Sequence, residues 1–324
     1  FFFVIMKFGV PVCYVDPHDV KDLVCDKIHK EEHISFAVSM DDENSLLSPQ
    51  PINLSFISEK DNLEGWHLPV HWFRRPYLYL YLVDNSKEPA TKEQKKNLKN
   101  WSNDIGGKQE WIVIQFIAPE QPKRMSVIPF YDKNRLDVPR DRYFQVQMKA
   151  EGNEEWNDII KRIKECLKES FQKQIREYKS NISTLLKRSN IPGWNFCNYF
   201  VVSEGLAFTM IQCGQLETAL EQYNQLLKMY MSLNNESKLE NFIYEPDLKQ
   251  VIDGTVIEDI KEWSSEVRRE LIYQNQVSEI QFLEYVCSRR FFLLVKLNRT
   301  YEALKEVLEF LQLIIKKLSI YQKK

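Results

Sequence analysis

The hydrophobic period of the chain changes near residue 150, and this change constrains the fold more than any single motif. Before it, short apolar segments alternate with turn residues. After it, apolar residues return every three or four positions for tens of residues. Eleven of the 13 prolines and all five histidines precede residue 150, and only Pro192 and Pro246 follow it. A period near two with frequent breakers predicts strands and short helices; a period near 3.6 without breakers predicts long helices.

In the first half, Pro11 to Val15 is short and apolar. Asp16-Pro17 then places a capping carboxylate before a proline at the first helical position, which predicts a helix to about Glu32. Ile34 to Val38 and Ile52 to Ile57 read as extended, and Tyr143 to Met148 as a further strand. Tyr77 to Leu82 alternates tyrosine and leucine, one type on each sheet face. A polar helix from Ala90 to Ile105 ends at Gly106-Gly107, and Trp111 to Ile117 is apolar throughout, as a strand covered on both faces requires. Strands alternating with helices make residues 1–150 an α/β domain.

In the second half, Trp156, Ile159, Ile163, Leu167, Phe171, Ile175, Tyr178, Ile182 and Leu185 draw one stripe along a predicted helix from Glu155 to Lys187. At about 1.5 Å per residue it is about 50 Å long. Ile191-Pro192-Gly193 stops it. Asn195 to Ile211 is apolar nearly all round and reads as an inner helix; Gln215 to Tyr230 and Thr300 to Leu318 are amphipathic. Ser232 to Gly254, broken by Pro246, reads as a connection. Leu206, Ala207, Gly214, Ala219 and Tyr223 fall at tetratricopeptide (TPR) offsets, and Asn298 and Ala303 repeat two of them 84 residues on. Residues 151–324 are therefore expected to form an all-α solenoid of helical hairpins, TPR-like, continuing in a longer parent chain.

Composition excludes several functions. The first 150 residues carry 20 basic and 21 acidic side chains and the remainder 24 and 25, so neither half has the surplus that a nucleic-acid backbone or an anionic membrane selects. The longest apolar runs, Phe1 to Met6 and Tyr77 to Val83, fall far short of the roughly 20 residues that span a bilayer. No basic amphipathic helix or lipidation signal is visible, so membrane contact is expected to be indirect. Six widely spaced cysteines without a CxxC pair read as reduced thiols of a cytoplasmic protein.

Catalytic and ligand motifs fail on spacing. Gly106-Gly107-Lys108 lacks the upstream glycine of a P-loop, where Ser102 stands, and Gln109 replaces the magnesium-holding hydroxyl. These glycines also end a helix rather than open one. Cys25, His29 and His33 share a helical face and Cys13 could join them, but no paired-cysteine knuckle supports zinc. His67 and His71 flank Pro69 and would not converge as helical ligands do. No GxSxG elbow occurs. The expectation is a non-enzyme with no cofactor, metal or catalytic residue. A nucleotide- or small-molecule-binding α/β domain with unusual loops is the competing reading.

What stands out is aromatic residues in polar company. Trp66, Trp72, Phe73, Arg74 and Arg75 crowd one proline-bounded segment, and Trp194 and Phe196 follow Pro192-Gly193. These residue types anchor protein interfaces, and they equally seal domain junctions and interhelical turns. The runs HWFRRPYLYLYLV (His71–Val83), DKNRLDVPRDRYFQVQM (Asp132–Met148) and PGWNFC (Pro192–Cys197), with Asp16-Pro17 and Val20 ahead of them, resemble the amino-terminal region of the trafficking protein particle (TRAPP) complex subunit 10 family.

The resemblance implies a GTPase-like α/β domain without a nucleotide site, followed by an α-solenoid. It implies a non-catalytic scaffold and tethering subunit of the TRAPP II complex, peripheral at the Golgi. Its partners would be the other TRAPP subunits and, through the assembled complex, a Rab small GTPase undergoing nucleotide exchange in vesicle transport. A solenoid scaffold like TRAPP subunit 11 is a further alternative.

Overall fold

The computed structural model describes residues 9–30, 34–36, 50–61, 68–86, 91–105, 109–118, 140–147, 154–235 and 265–321. The chain divides into two compact units. One comprises Phe1–Glu64 with Arg74–Gln174, the other Gly65–Phe73 with Ile175–Lys324. The expected boundary at residue 150 lies before the long helix, whereas the units part inside it, at Gln174. The reason is that the first turns of this helix complete the core of the sheet.

The first unit is built on five parallel strands in the order β4-β1-β5-β6-β7: β1 (Val10–Val15), β4 (Leu54–Ser58), β5 (Leu78–Asn85), β6 (Trp111–Ile117) and β7 (Tyr143–Gln147). A separate antiparallel pair joins β2 (Ile34–Phe36) to β3 (Gln50–Ile52). Only Asn53 separates β3 from β4, and its carbonyl accepts the Val10 N–H at 2.7 Å. Within the five strands the order is 2-1-3-4-5, a doubly wound sheet whose switch point lies at β1.

Helices cover both faces. Tyr79, Tyr81 and Val83 of β5 join Cys13, Trp111 and Val113 in a cluster with Leu98 and Trp101 of α2 (Lys92–Ile105). Trp101 stands edge-on to Tyr81 at 5.0 Å and to Trp111 at 5.9 Å. Side chains of opposite parity point to the other face, where α3 (Glu154–Lys187) lies. There Trp156 meets Phe116 at 6.3 Å, Phe171 stacks on Tyr77 at 4.1 Å, and the Ser170 hydroxyl donates to the Tyr77 carbonyl at 2.5 Å. β6 is buried along its whole length, so the near-continuous apolar run was the correct signal of two covered faces.

The first helix starts later than expected. Pro17 to Asp19 form a turn, and α1 runs from Lys21 to Lys30. Asp19 holds a left-handed φ of 57°, which interrupts any helical turn begun at Pro17. Asp16 still caps: its carboxylate accepts the His18 N–H at 3.2 Å and the Lys21 N–H at 2.7 Å.

The second unit is helical. It contains α4 (Phe196–Gln212), α5 (Leu216–Asn235), α6 (Ser265–Tyr273), α7 (Glu279–Lys296) and α8 (Thr300–Tyr321), besides the end of α3. α4 packs on α5 and α6, α5 on α7, and α7 on α8. The inner position expected for α4 is observed, for its residues are buried nearly all round. Gly205 lets α3 approach α4 closely: a Cβ there would stand 2.3 Å from Cε1 of Tyr178.

Two turns repeat. Gly214 ends α4 with φ 73°, and Asn298 ends α7 with φ 58°. The next N–H returns five residues in each, Gln215 to the Met210 carbonyl and Arg299 to the Leu294 carbonyl, both at 2.8 Å. Ala219 and Ala303, one turn into the following helices, are both buried. Helices α6 and α7 had no individual counterpart in the sequence reading. Ser278 and Gln281 nevertheless form a capping box at the start of α7, a signal readable from S-x-x-Q. The expected turn at Gly106–Lys108, most of the Ser232–Gly254 connection with Pro246, and Trp66, His33 and His67 lie outside the described residues.

Candidate functional site

Ligands of doubly wound sheets bind outside the carboxyl ends of the strands at the switch point. Here a cavity of about 320 Å³ lies at the carboxyl ends of β1 and β4, beside the switch point between β1 and β5, lined by Tyr14, Val15, Asp16, Pro17, Asp19, Lys21, Ser58, Glu59 and Lys60. Phosphate binding would need the free N–H groups at the start of α1. Asp16 already takes two backbone N–H groups of this turn, and its negative charge repels a phosphate. His18 fills the neighbouring space: its Nδ1 accepts the Asp84 N–H at 3.4 Å, and its Nε2 meets the Gln94 amide at 2.8 Å. Asp16 thus takes the first N–H of α1, and the His18 ring links the turn to Asp84 and Gln94.

Thiol chemistry has no activated group. Burial first, with the Glu59 charge adding to it, pushes Cys13 up to about 12; burial likewise takes Cys166 and Cys287 to about 12 and Cys197 and Cys213 upward. Among the described residues no group of three or more His, Cys, Asp or Glu could hold a metal ion. Cys25 is half-buried with its thiol raised by burial; of its supposed co-ligands, His33 falls outside the described residues. The raised values also predict alkaline lability. An unfolded thiol ionises near 9.0 but the buried one near 12, so the stabilisation is complete below the lower value and is lost as pH rises towards the upper one. The melting temperature should fall from about pH 9 upward; a flat profile to about pH 11 would contradict these burials.

The aromatic segment belongs to the helical unit. Pro69–Arg74 forms a 3₁₀ helix with Val70 and Phe73 buried. Phe73 packs on Phe208 of α4 at 5.5 Å, and the guanidinium of Arg269 from α6 lies 4.0 Å above its ring. Trp72 is half-buried against Tyr178 at 5.7 Å. Arg74 is exposed and Arg75 half-buried. The structure gathers Trp72, Phe73 and Arg74 on one short helix and places Phe73 in the core rather than on a surface.

PGWNFC builds a helix corner. Gly193 adopts φ 86°, Trp194 Nε1 donates to the Leu185 carbonyl at 2.9 Å near the end of α3, and Asn195 Oδ1 accepts the Cys197 N–H at 2.7 Å to cap α4. The Asn195 amide also donates to Asn275 Oδ1 at 3.1 Å, in the α6–α7 turn. Phe196 is buried among Phe200, Tyr230 and Phe282, at ring distances of 6.3, 5.9 and 5.9 Å. Of the two readings of this motif, sealing the turn describes what Phe196 does; Trp194 remains half-buried.

Sequence reasoning missed a buried charge cluster. Glu204 of α4 is 0% exposed and accepts hydrogen bonds from the hydroxyls of Tyr223 (α5), at 3.0 Å, and Tyr285 (α7). Arg269 Nε lies 3.3 Å from Glu204 Oε2 and Arg289 Nε 3.8 Å from Oε1, while Arg289 Nη2 donates to the Tyr285 oxygen at 3.1 Å. Burial opposes the Arg269 charge, but Tyr285 and Glu204 outweigh it and hold its pKa above the arginine range. Burial also takes Tyr285 up to about 12, so it remains a donor. A lone carboxylate in the apolar run VVSEGLAF was the available signal. One carboxylate thus ties four helices together, and the arrangement is architectural.

The known proteins that the chain resembles are named as subunits of the trafficking protein particle complex. Residues 49–188 match the family described as Trafficking protein particle complex subunit 10-like, N-terminal. The chain is 26% identical over 282 residues to Trafficking protein particle complex subunit 10 of Dictyostelium discoideum, covering 74% of this chain and 19% of that protein. It is 24% identical to the Trafficking protein particle complex II-specific subunit 130 homolog of Arabidopsis thaliana, covering 78% and 20%. It is also 24% identical to subunit 10 of Mus musculus, covering 76% and 21%. The chain therefore spans about a fifth of the length of the curated relatives it matches. Among the described residues no helix is long and apolar enough to cross a membrane. With the match reaching from β3 to the end of α3, and relatives aligning with most of the chain, the chain is similar to the trafficking protein particle complex subunit 10 family.

Proposed function

We propose that the chain is a non-catalytic scaffold module of a TRAPP II complex, holding other subunits while they promote nucleotide exchange on a Rab GTPase in Golgi transport. The family match supports the complex, and the relatives' names supply its second form. The observation that carries the non-catalytic part is the Asp16 carboxylate on the donors at the start of α1.

The α/β unit is proposed to be a GTPase-like fold that has lost its nucleotide. Counting β3 and β4 as one interrupted strand, the pairing order becomes 2-3-1-4-5-6 with only the second strand antiparallel, which supports that reading. The turns at Gly214 and Asn298, each followed five residues on by a buried alanine, support a TPR-like solenoid. Trp72, Arg74, Arg75 and Trp194, which retain exposed surface, are the proposed contacts; membrane association would come through partners.

The tagged chain is expected to co-purify with other TRAPP subunits and to leave the rate of GDP release from a Rab unchanged. Robust exchange by the chain alone would overturn the proposal. A second reading, small-molecule binding, rests on the cavity beside Lys21 and Lys60.

A further inference from the structure

Helix α8 is apolar on two sides. Ala303 is buried, and Glu306 pairs with Arg290 of α7, so one side is already used. Round the helix, Tyr301, Leu304, Leu308, Leu311 and Ile315 follow at steps of three, four, three and four residues, and all are exposed. Leu304 is 58%, Leu308 60% and Ile315 66% exposed. That spacing forms one seam along a helix, suited to another helix rather than to a flat surface. Helices with two apolar sides belong between two neighbours.

The molecule contains the neighbour's template. The turns at Gly214 and Asn298, and the alanines Ala219 and Ala303, stand 84 residues apart (214 to 298, 219 to 303). Under that offset Leu304 corresponds to Leu220, and Leu308 to Asn224. Leu220 is only 5% exposed, and Asn224 Oδ1 accepts Arg290 Nε at 3.0 Å. This face of α5 is therefore covered by α7, the first helix of the hairpin that follows it in the chain. The equivalent face of α8 lies open.

We propose that the seam from Tyr301 to Ile315 docks the first helix of a further hairpin, contributed by polypeptide following α8 in a protein of the relatives' length. The proposal rests on the solenoid part of the reading above, and the relatives, of which this chain matches about a fifth, have chain enough to supply the hairpin. The docking helix would present its own leucine- or isoleucine-type stripe. Charge would select little, because Lys305 and Glu309 beside the seam already pair with each other at 3.7 Å.

Maleimide labelling of Leu308→Cys and of Leu304→Cys, followed by mass spectrometry, tests it in two settings. In the 324-residue chain the introduced thiol should react as fast as a free cysteine. In the natural full-length polypeptide it should react at least about ten-fold more slowly at any protein concentration, the loss expected for a buried position. Equal rates in both would overturn the proposal. So would protection that grows with concentration, which marks a second copy, or a natural polypeptide that ends at Lys324. None of these readings depends on TRAPP partners or exchange activity, so this test can fail while the scaffold assignment stands.

Discussion

Glu204→Ala is expected to destabilise the helical unit by about 3–5 kcal/mol, because removing one partner strands buried charge. Arg269 and Arg289, 2% and 3% exposed, would face each other's charge in the core, and the Tyr223 and Tyr285 hydroxyls would lose their acceptor. Chemical denaturation followed by circular dichroism reads the effect as a lowered midpoint. Glu204→Gln keeps an acceptor but not the charge, and should lie between the parent and the alanine variant. Replacing Glu204, Arg269 and Arg289 together with leucine and methionine should recover much of the loss, since a well-packed apolar replacement is often neutral or better. An unchanged midpoint for Glu204→Ala would mean that the cluster does not organise α4 to α7.

Phe73→Ala should cost a comparable ~3–5 kcal/mol by leaving a cavity beside Phe208. It also removes the ring on which Arg269 stacks at 4.0 Å, a contact worth up to about 2 kcal/mol when desolvated. Arg74→Ala, one position on and exposed, should stay within about 0.5 kcal/mol of the parent. The pair separates two meanings of one motif. Phe73 anchors the segment inside its own unit, and any loss of subunit binding in Arg74→Ala at unchanged stability would belong to the surface. Equal destabilisation by both substitutions would contradict this division.

Local signals made the framework legible. The all-apolar run at Trp111–Ile117, the Tyr/Leu alternation of β5 and the long stripe of α3 each follow from period alone, and each element lies where its period put it. Pattern could not show that α3 serves two units, because a stripe records a buried face and not what covers it. Nor could it start α1 correctly: the left-handed φ of Asp19 is a tertiary choice made by an aspartate, not a glycine. The corner at Pro192–Cys197 was half legible. Gly193 and Asn195 announce a turn and a cap, but the pairing of Asn195 with Asn275, 80 residues away, needs the fold. Glu204 stood out in its apolar run, but its partners were illegible for the same reason, since they come from three other helices.

On the proposed reading the chain acts by presenting surfaces, and Asp16, which holds the first N–H of α1, keeps phosphate from the strand-end crevice. Calorimetric titration of GDP and GTP with magnesium into the chain tests this most directly. No saturable heat is expected for either nucleotide; a one-to-one isotherm that is lost when Lys21 or Lys60 is replaced by alanine would show that the crevice holds one.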